Sequence, residues 1–359
     1  TNVVGSNPGP VRLADVDGDA HLDLLVLYRF SQVVHVLLGD GHGDFASPLS
    51  FSVPPQARSF ELGDLDGDGQ IEIVTCHETG TVAVLPNLGG GSFGAALRTT
   101  VGGVLQSLAL GQLDGDGFLD VVTVGNTLSL SLLRGHGDLG FAPREAVSLG
   151  DDGNTAVEMV DVDRDGDLDV VVGRDGDPGL APEEATLLRN GGDATFERDV
   201  LRTVTAPTAL AAGDVDRDGW NDLCFVSRLT DTVSCYRSDR AGGFEVGRRA
   251  ALPAGNRAKV TDLDADGHLD VALIGVSQLV TWFGTGDGGF RPPVSFATPG
   301  LNECVLHDFD HDGLPDLTTA EAFGVNVYRG KGDGTFELRS THPTHITQYG
   351  ALGRVERDA

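Results

Sequence analysis

Short apolar segments alternate with acidic and Gly-rich turns along the whole chain, and the alternation repeats every 46–53 residues. Each unit contains an apolar segment, an acidic loop, and two further apolar segments such as residues 24–28 and 33–38. A Gly-rich turn that ends in phenylalanine and a last polar and apolar stretch, such as residues 49–53, complete the unit. Runs of about 4–8 residues that are rich in β-branched side chains and bounded by turn residues are typical of strands. The pattern predicts four short antiparallel strands per unit.

Seven such units predict the fold class. Four-stranded units of about 40–50 residues, repeated four to eight times, are typical of β-propeller blades. Because one unit is too small to close its own core, we expect residues 1–359 to form one all-β domain, a seven-bladed β-propeller. One phenylalanine per unit is expected to fill the wedge between adjacent blades. These residues are Phe45, Phe93, Phe141, Phe196, Phe244, Phe290 and Phe336.

The two ends of the chain offer alternative ways to close the ring. Residues 1–4 could form a strand that pairs with the last blade, whereas the seventh unit has a candidate fourth strand of its own after Phe336. Residues 349–358 resemble the start of an eighth unit without its acidic loop. The sequence does not choose between these arrangements.

A nine-residue acidic loop recurs once in each unit. The seven loops start at residues 15, 64, 112, 161, 214, 262 and 308 and follow the pattern Asp-x-Asp-x-Asp-Gly-x-x-Asp. The exceptions are Gln112 at position 1, Glu72 at position 9 and Ala20 at position 6. In a calcium loop, positions 1, 3 and 5 present side-chain oxygens, position 7 presents a backbone carbonyl, and the closing acid can bind through both oxygens. Glycine at position 6 permits the sharp turn. The pattern predicts about seven Ca²⁺ sites, of which the Gln112 loop is the weakest.

The predicted ligands occupy positions 1, 3, 5, 7 and 9 of each loop. They are Asp15, Asp17, Asp19, His21 and Asp23; Asp64, Asp66, Asp68, Gln70 and Glu72; Gln112, Asp114, Asp116, Phe118 and Asp120; Asp161, Asp163, Asp165, Asp167 and Asp169; Asp214, Asp216, Asp218, Trp220 and Asp222; Asp262, Asp264, Asp266, His268 and Asp270; and Asp308, Asp310, Asp312, Leu314 and Asp316.

Other interpretations of the loops fit less well. An EF-hand closes with Glu at position 12 between helices, and magnesium demands a tight octahedron and keeps its waters. A single Asp-Gly cluster usually marks only a solvated turn, but seven clusters in phase argue against that interpretation. Carboxylates ~4 Å apart repel by about 1 kcal/mol per pair in water. We therefore expect calcium to be structural and the metal-free protein to be less stable.

The acidic loop, together with a Gly-x-Gly-x-Phe turn two strands later, resembles the FG-GAP or VCBS repeat of integrin α-subunit propellers and of many secreted bacterial proteins. The resemblance covers about residues 8–340, and it departs from integrin-type propellers because all seven units carry the acidic loop. It implies calcium on one face of the disc, a protein or glycan partner on the opposite face or the rim, and a secreted or cell-surface location. It implies no particular activity.

Composition narrows the range of partners. A net charge of −29 argues against nucleic acid, no apolar run predicts a membrane span, and we expect a monomer. The four cysteines lack Cys-x-x-Cys spacing and are interpreted mainly as small buried residues. Only Cys224 and Cys235 fall in predicted neighbouring strands, where geometry decides whether a disulfide forms. No secretion leader precedes Thr1, and we attribute this to its removal or omission.

Three classes of function are compatible with these features. The leading hypothesis is a non-enzymatic, calcium-dependent binding or adhesion module. A lectin is the second, although Trp220 and Trp282 are the only tryptophans and no stacking aromatic recurs per blade beyond the phenylalanines. A polysaccharide-active enzyme is the third, but the ten histidines form no recognised catalytic motif. We predict that the protein is not an enzyme.

The loops opposite the acidic loops are the candidate ligand-binding face. Unit four carries about six extra residues within residues 173–185, and insertions of this kind often carry function. The further candidates on this face are Tyr28, Arg29, Phe30, His77, Glu78, Arg228, Asp231 and Phe323.

Overall fold

The structure is a computed structural model. It describes residues 8–29, 31–150, 154–174, 184–203, 209–227, 232–251, 255–275, 277–298, 301, 303–321 and 324–343. These residues form seven sheets of four strands each, and the strands of every sheet are consecutive in the chain and antiparallel. The predicted seven-bladed propeller of four-stranded blades is confirmed.

The strands are numbered in chain order. Blade one comprises β1 (Pro8–Ala14), β2 (Asp23–Tyr28), β3 (Val33–Leu37) and β4 (Leu49–Ser52), and blade two comprises β5 (Ala57–Gly63), β6 (Glu72–His77), β7 (Thr81–Leu85) and β8 (Leu97–Thr100). Blade three comprises β9 (Leu105–Gly111), β10 (Asp120–Gly125), β11 (Ser129–Leu133) and β12 (Glu145–Ser148), and blade four comprises β13 (Asn154–Val160), β14 (Asp169–Arg174), β15 (Glu184–Asn190) and β16 (Phe196–Arg202). Blade five comprises β17 (Ala209–Gly213), β18 (Asp222–Ser227), β19 (Thr232–Ser238) and β20 (Phe244–Ala251), and blade six comprises β21 (Gly255–Thr261), β22 (Asp270–Gly275), β23 (Gln278–Trp282) and β24 (Val294–Ala297). Blade seven comprises β25 (Glu303–His307), β26 (Asp316–Glu321), β27 (Gly324–Gly330) and β28 (Phe336–Pro343).

The first strand of each blade lies nearest the propeller axis. Strand β1 contacts β5, β5 contacts β9, and the series continues through β13 and β17 to β21. Strand β25 contacts β1, which closes the ring between blades seven and one. Because every first strand runs toward its acidic loop, the starts of these strands lie on the opposite face of the disc.

Seven hydrophobic clusters hold the blades together, and each one spans a pair of adjacent blades. Strand β2 shows why its sequence is apolar without interruption. Leu24 and Val26 pack in the cluster shared with blade seven, whereas Leu25 and Leu27 pack in the cluster shared with blade two. Successive side chains of a strand point to opposite faces, so a blade buried on both faces needs apolar residues at every position.

The seven repeated phenylalanines belong to these clusters, as predicted. Phe45, Phe93 and Phe336 are buried, and the other four are partly buried and pack against the same clusters. Edge-to-face contacts, such as that of Phe45 with Phe309 of blade seven at 5.5 Å between ring centroids, join neighbouring blades.

Two of the four cysteines follow the sequence-based interpretation, and the other two form the disulfide that the sequence left to geometry. Cys76 and Cys304 are buried free thiols, while Cys224 and Cys235 lie opposite each other on β18 and β19 and form a disulfide. A disulfide is compatible with an extracellular protein.

Blade seven has its own fourth strand, β28, which is one of the arrangements that the sequence left open. Residues 1–4, residues 349–358 and most of the blade-four insertion (residues 175–183) lie outside the described residues. No helix in the described part of the chain is long and apolar enough to cross a membrane.

Candidate functional site

The acidic loops join the first strand of every blade to its second strand, where the sequence placed them. All seven therefore lie on one face of the disc, around the inner ring of strands. The described residues include every predicted ligand of all seven loops.

The acid at position 9 connects each loop to the rest of its blade. In blade one, the buried Asp23 carboxylate accepts one hydrogen bond from the N–H of Val16 at 2.8 Å and one from the N–H of Gly39 at 2.9 Å. The equivalent pair recurs in every blade, with distances of 2.7–3.1 Å to the position-2 N–H and 2.7–3.3 Å to the Gly-rich turn. Both oxygens thus brace the backbone, and sequence reasoning, which considered this acid only as a ligand, did not predict that role.

Backbone N–H groups also hold the carboxylates at positions 1 and 5. In loop one, Asp15 accepts hydrogen bonds from the N–H groups of Gly18 and Ala20 at 2.7 and 2.9 Å. The position-5 carboxylate accepts the N–H of position 7 at 2.8–2.9 Å in all seven loops. These bonds orient the side chains before any ligand binds, which lowers the cost of assembling a site.

Left-handed backbone conformations give the loop its curvature. Ala20, which replaces glycine at position 6, adopts a φ of 70°, close to the 86° of Gly69 in loop two. Position 4 is also left-handed in every loop, although loops four to seven carry Arg164, Arg217, Ala265 and His311 there. The sequence indicated the turn at position 6 but not the strained residue at position 4.

The loop carboxylates converge closely enough for one cation. Three acids of a loop bring an oxygen each to within 4.8 Å of one another in loops one, two, four, five and six. In three loops a buried carboxylate oxygen has no hydrogen-bond partner in the described part of the chain: Oδ1 of Asp163, Asp262 and Asp310. A buried carboxylate oxygen is costly without a donor or a metal. These donor sets therefore fit a cation that prefers oxygen ligands, such as Ca²⁺.

Burial raises the pKa of the position-9 acids. Desolvation is the main cause, repulsion from the acids at positions 3 and 5 adds to it, and the two backbone N–H bonds oppose it. The pKa of Asp169, Asp222 and Asp270 rises to about 6. The loops thus concentrate negative charge that needs a counter-charge.

Arginines supply part of that counter-charge, but only in some blades. Asp114 in loop three pairs with Arg134 at 2.8 Å, and Asp312 in loop seven pairs with Arg329 at 2.8 Å. Loops four, five and six carry similar pairs. Among the described residues, no arginine or lysine forms an ion pair with the carboxylates of loops one and two.

The inner strands carry a band of charges three residues before the acidic loops. Arg12 donates to Glu61 at 2.8 Å. The Glu158 side chain remains accessible to water, yet desolvation by the surrounding protein and repulsion by Glu61 raise its pKa to about 7, while Lys259 and Arg12 act in the opposite sense. The axis of the propeller is therefore polar and contains an acid that titrates near neutral pH.

The candidates on the opposite face divide into three groups. Tyr28 is buried in a hydrophobic cluster, and His77 is buried and bonded to Thr75 and to the carbonyl of Pro55, so neither is available to a ligand. Arg29 and Glu78 line a cavity. The remaining candidates, Phe30, Arg228, Asp231 and Phe323, lie outside the described residues.

Four segments of the chain match the family model described as FG-GAP-like repeat: residues 15–75, 64–123, 112–172 and 262–319. Each segment begins at the first residue of an acidic loop, and together they span more than half of the chain. The chain belongs to the FG-GAP-like repeat family. This confirms the resemblance found in the sequence, and the fold of this FG-GAP protein is typical of binding and structural modules. Among curated proteins, none matches the chain.

Solved structures with the same fold include a lectin, a protein in complex with a partner and a protein of unknown function. An Agrocybe aegerita lectin that recognises non-reducing terminal N-acetylglucosamine is 20% identical, with 81% of this chain and 80% of that chain covered and a TM-score of 0.60. BBS1N, solved in complex with ARL6DN, is 9% identical, with 93% and 95% covered and a TM-score of 0.63. A functionally unknown protein from Desulfotomaculum acetoxidans is 10% identical, with 89% and 98% covered and a TM-score of 0.62. At these identities the likeness shows the fold alone.

Proposed function

We propose that this FG-GAP propeller is a non-enzymatic, extracellular binding or adhesion module that is stabilised by calcium in its acidic loops. In this proposal residues 1–359 form one domain, the loops bind structural Ca²⁺ on one face, and a protein or glycan ligand binds the other face. The recurring convergence of carboxylate oxygens carries the proposal, because oxygens of three acids within 4.8 Å of one another repel, and a bound cation would replace that repulsion by attraction.

The ligands of each ion would be the side chains at positions 1, 3, 5 and 9 and the backbone carbonyl at position 7. The position-9 carboxylate retains a free lone pair on each oxygen after accepting its two N–H bonds, so bracing and coordination are compatible. The ion would supply positive charge where the loop concentrates carboxylates. Because the position-9 acid also accepts hydrogen bonds from the loop and the Gly-rich turn, an ion bound to it would stabilise the second strand and that turn as well.

The sites are expected to differ in affinity. Loops one and two keep all four of their acids without a competing ion pair among the described residues, and we expect them to bind calcium most tightly. In loop three, Gln112 provides a neutral amide oxygen that already accepts the N–H of Gly115 at 3.0 Å, and Arg134 neutralises Asp114. This loop is expected to bind most weakly.

Removal and replacement of calcium tests the proposal. We expect excess EDTA to lower the melting temperature and added Ca²⁺ to restore it at lower concentration than Mg²⁺, because Mg²⁺ adapts poorly to a large oxygen shell. Anomalous scattering from crystals grown in calcium should locate ions in the loops. A melting temperature that does not change with EDTA or calcium would contradict the structural role.

A glycan is the second candidate ligand. The structural likeness to the N-acetylglucosamine-binding lectin favours it, although that likeness rests on the fold. A glycan array separates this possibility from protein adhesion, since reproducible binding to a defined glycan is expected only of a lectin.

A further inference from the structure

A cavity opens on the face opposite the acidic loops, between blades one and two. Its volume is about 370 Å³, within the range of small-molecule sites, and its lining includes Arg29, Gln32, Gln56, Arg58 and Glu78. Arg29 follows the end of β2 and Arg58 lies near the start of β5, so both belong to the face away from the predicted calcium.

Arg29 is the unsatisfied group of this cavity. Its Nε atom is buried and has no hydrogen-bond partner among the described residues. The side chain lies so close to Gly9 that a Cβ there would be 3.1 Å from Nε. Burial and the nearby charges of Arg257 and Arg58 lower the pKa of Arg29 to about 10, so the guanidinium remains charged at neutral pH. A buried guanidinium N–H without an acceptor is costly, and the charge of the half-buried Arg29 favours a negatively charged ligand.

The neighbouring arginines are already neutralised. Arg58 pairs with Glu78, and Arg257 pairs with Glu303 at 2.5 Å. Among the residues that the structure describes, Arg29 is therefore the one cation of this cavity that forms no ion pair, in a protein of net charge −29. A single guanidinium neutralises a single carboxylate, which it can bind through two parallel hydrogen bonds, whereas a doubly charged phosphate or sulfate would keep one uncompensated negative charge.

The walls of the cavity have a rigid backbone. Gln32 and Gln56 adopt left-handed φ values of 55° and 60°. In the described part of the chain, they are the only non-glycine residues that do so outside the acidic loops and Gly-rich turns. The carbonyl of Gln32 accepts the N–H of Val53 at 2.9 Å, and that of Gln56 accepts the N–H of Glu78 at 3.0 Å. Strained residues held by such bonds are frequent at ligand sites.

We propose that this cavity binds an acidic monosaccharide unit, with the sugar carboxylate on the Arg29 guanidinium and the sugar hydroxyls near the side chains of Gln32, Gln56 and Glu78. The amides and the carboxylate offer both donors and acceptors, as hydroxyl groups require. The inference rests on the proposed function, since it specifies the ligand of the binding face.

Calorimetric titration of the calcium-loaded full chain with glucuronate, galacturonate and N-acetylneuraminate tests the proposal. We expect at least one to bind saturably, glucose to bind at least ~10-fold more weakly, and Arg29→Gln to lose ~10-fold or more in affinity for the acidic sugar. Arg98→Gln is the matched control, because it makes the same change in charge at an exposed arginine on β8 that forms no ion pair within the described residues. Its affinity should equal that of the wild type.

Several outcomes would overturn the proposal: no binding of any acidic sugar, equal binding of glucose, sulfate binding as tightly as the acidic sugar, or unchanged affinity in Arg29→Gln. Because Arg29 is desolvated and unpaired, Arg29→Gln should melt at or above the wild-type temperature. A lower melting temperature would instead assign Arg29 to folding and contradict a ligand-binding role. Arg29→Lys, which keeps the charge but loses the planar fork, should also bind less tightly than the wild type.

The test also separates this inference from the proposed function. If the melting temperature responds to calcium but no acidic sugar binds, only the cavity assignment is refuted. A melting temperature insensitive to EDTA, together with Arg29-dependent sugar binding, refutes the calcium proposal alone.

Discussion

Substitution of Asp23 by alanine separates the bracing role of position 9 from its role as a calcium ligand. Asp23 is fully buried, and its oxygens accept the N–H groups of Val16 and Gly39 at 2.8 and 2.9 Å. Hydrogen bonds to a charged acceptor contribute about 1.5–3 kcal/mol each, and a buried N–H without a partner costs about 1–3 kcal/mol. The cost of burying the charged carboxylate, which also raises the pKa of Asp23, offsets part of the stabilisation by these hydrogen bonds. We therefore expect Asp23→Ala to lower the free energy of unfolding by about 3 kcal/mol.

The loss should be present without calcium, because the two N–H bonds do not depend on an ion. With a urea m-value of about 3 kcal/mol/M, the unfolding midpoint in EDTA should fall by about 1 M. Hydrogen exchange of the Val16 and Gly39 amides should accelerate in the same buffer, since these amides lose their acceptors.

Asp19→Ala is the matched control within the same loop. Asp19 is exposed and accepts the N–H of His21 at 2.8 Å, so its loss should cost only about 0.5 kcal/mol in EDTA. In calcium, Asp19→Ala should reduce the stabilisation that the ion gives. If Asp23→Ala and Asp19→Ala have the same midpoint in EDTA, position 9 acts only through the metal and the reasoning is refuted.

Three further predictions concern single residues. Gln112→Asp should strengthen calcium binding by loop three about tenfold, measured by titration calorimetry, because it restores an ionised ligand; unchanged binding would contradict the ranking of the sites. Ala20→Gly should raise stability by about 0.5 kcal/mol, since it relieves a left-handed alanine at a smaller entropic cost. Thermal melts should detect no gain in the control Ala96→Gly, because Ala96, which directly precedes β8, has no left-handed φ. Glu158 has a native pKa of about 7 against 4.5 in an unfolded chain, so its protonation stabilises the protein most below pH 4.5 and this contribution disappears as the pH rises through 7. In melts at several pH values, the melting temperature of Glu158→Gln should therefore rise relative to that of the wild type as the pH increases from about 4.5 to about 7. The control Glu197→Gln, at an exposed position, should show no such change.

The repeat contains most of the information about the fold and the predicted metal sites. Strand order, blade count and the position of the acidic loops follow from local patterns, because alternation, turn chemistry and ligand spacing act over a few residues and recur seven times. The disulfide between Cys224 and Cys235 needed one more fact, the register of β18 and β19.

Two features depended on three-dimensional proximity. The position-9 brace uses backbone N–H groups, which have no sequence signature, and its second donor lies 14–21 residues away in the chain. The Arg29 cavity unites residues of two blades, and the charges of Arg257 and Glu303 reach it only because the ring closes between blades seven and one. In sequence these residues are isolated polar positions, and the burial of the Arg29 Nε atom, which has no acceptor among the described residues, arises only when the blades pack together.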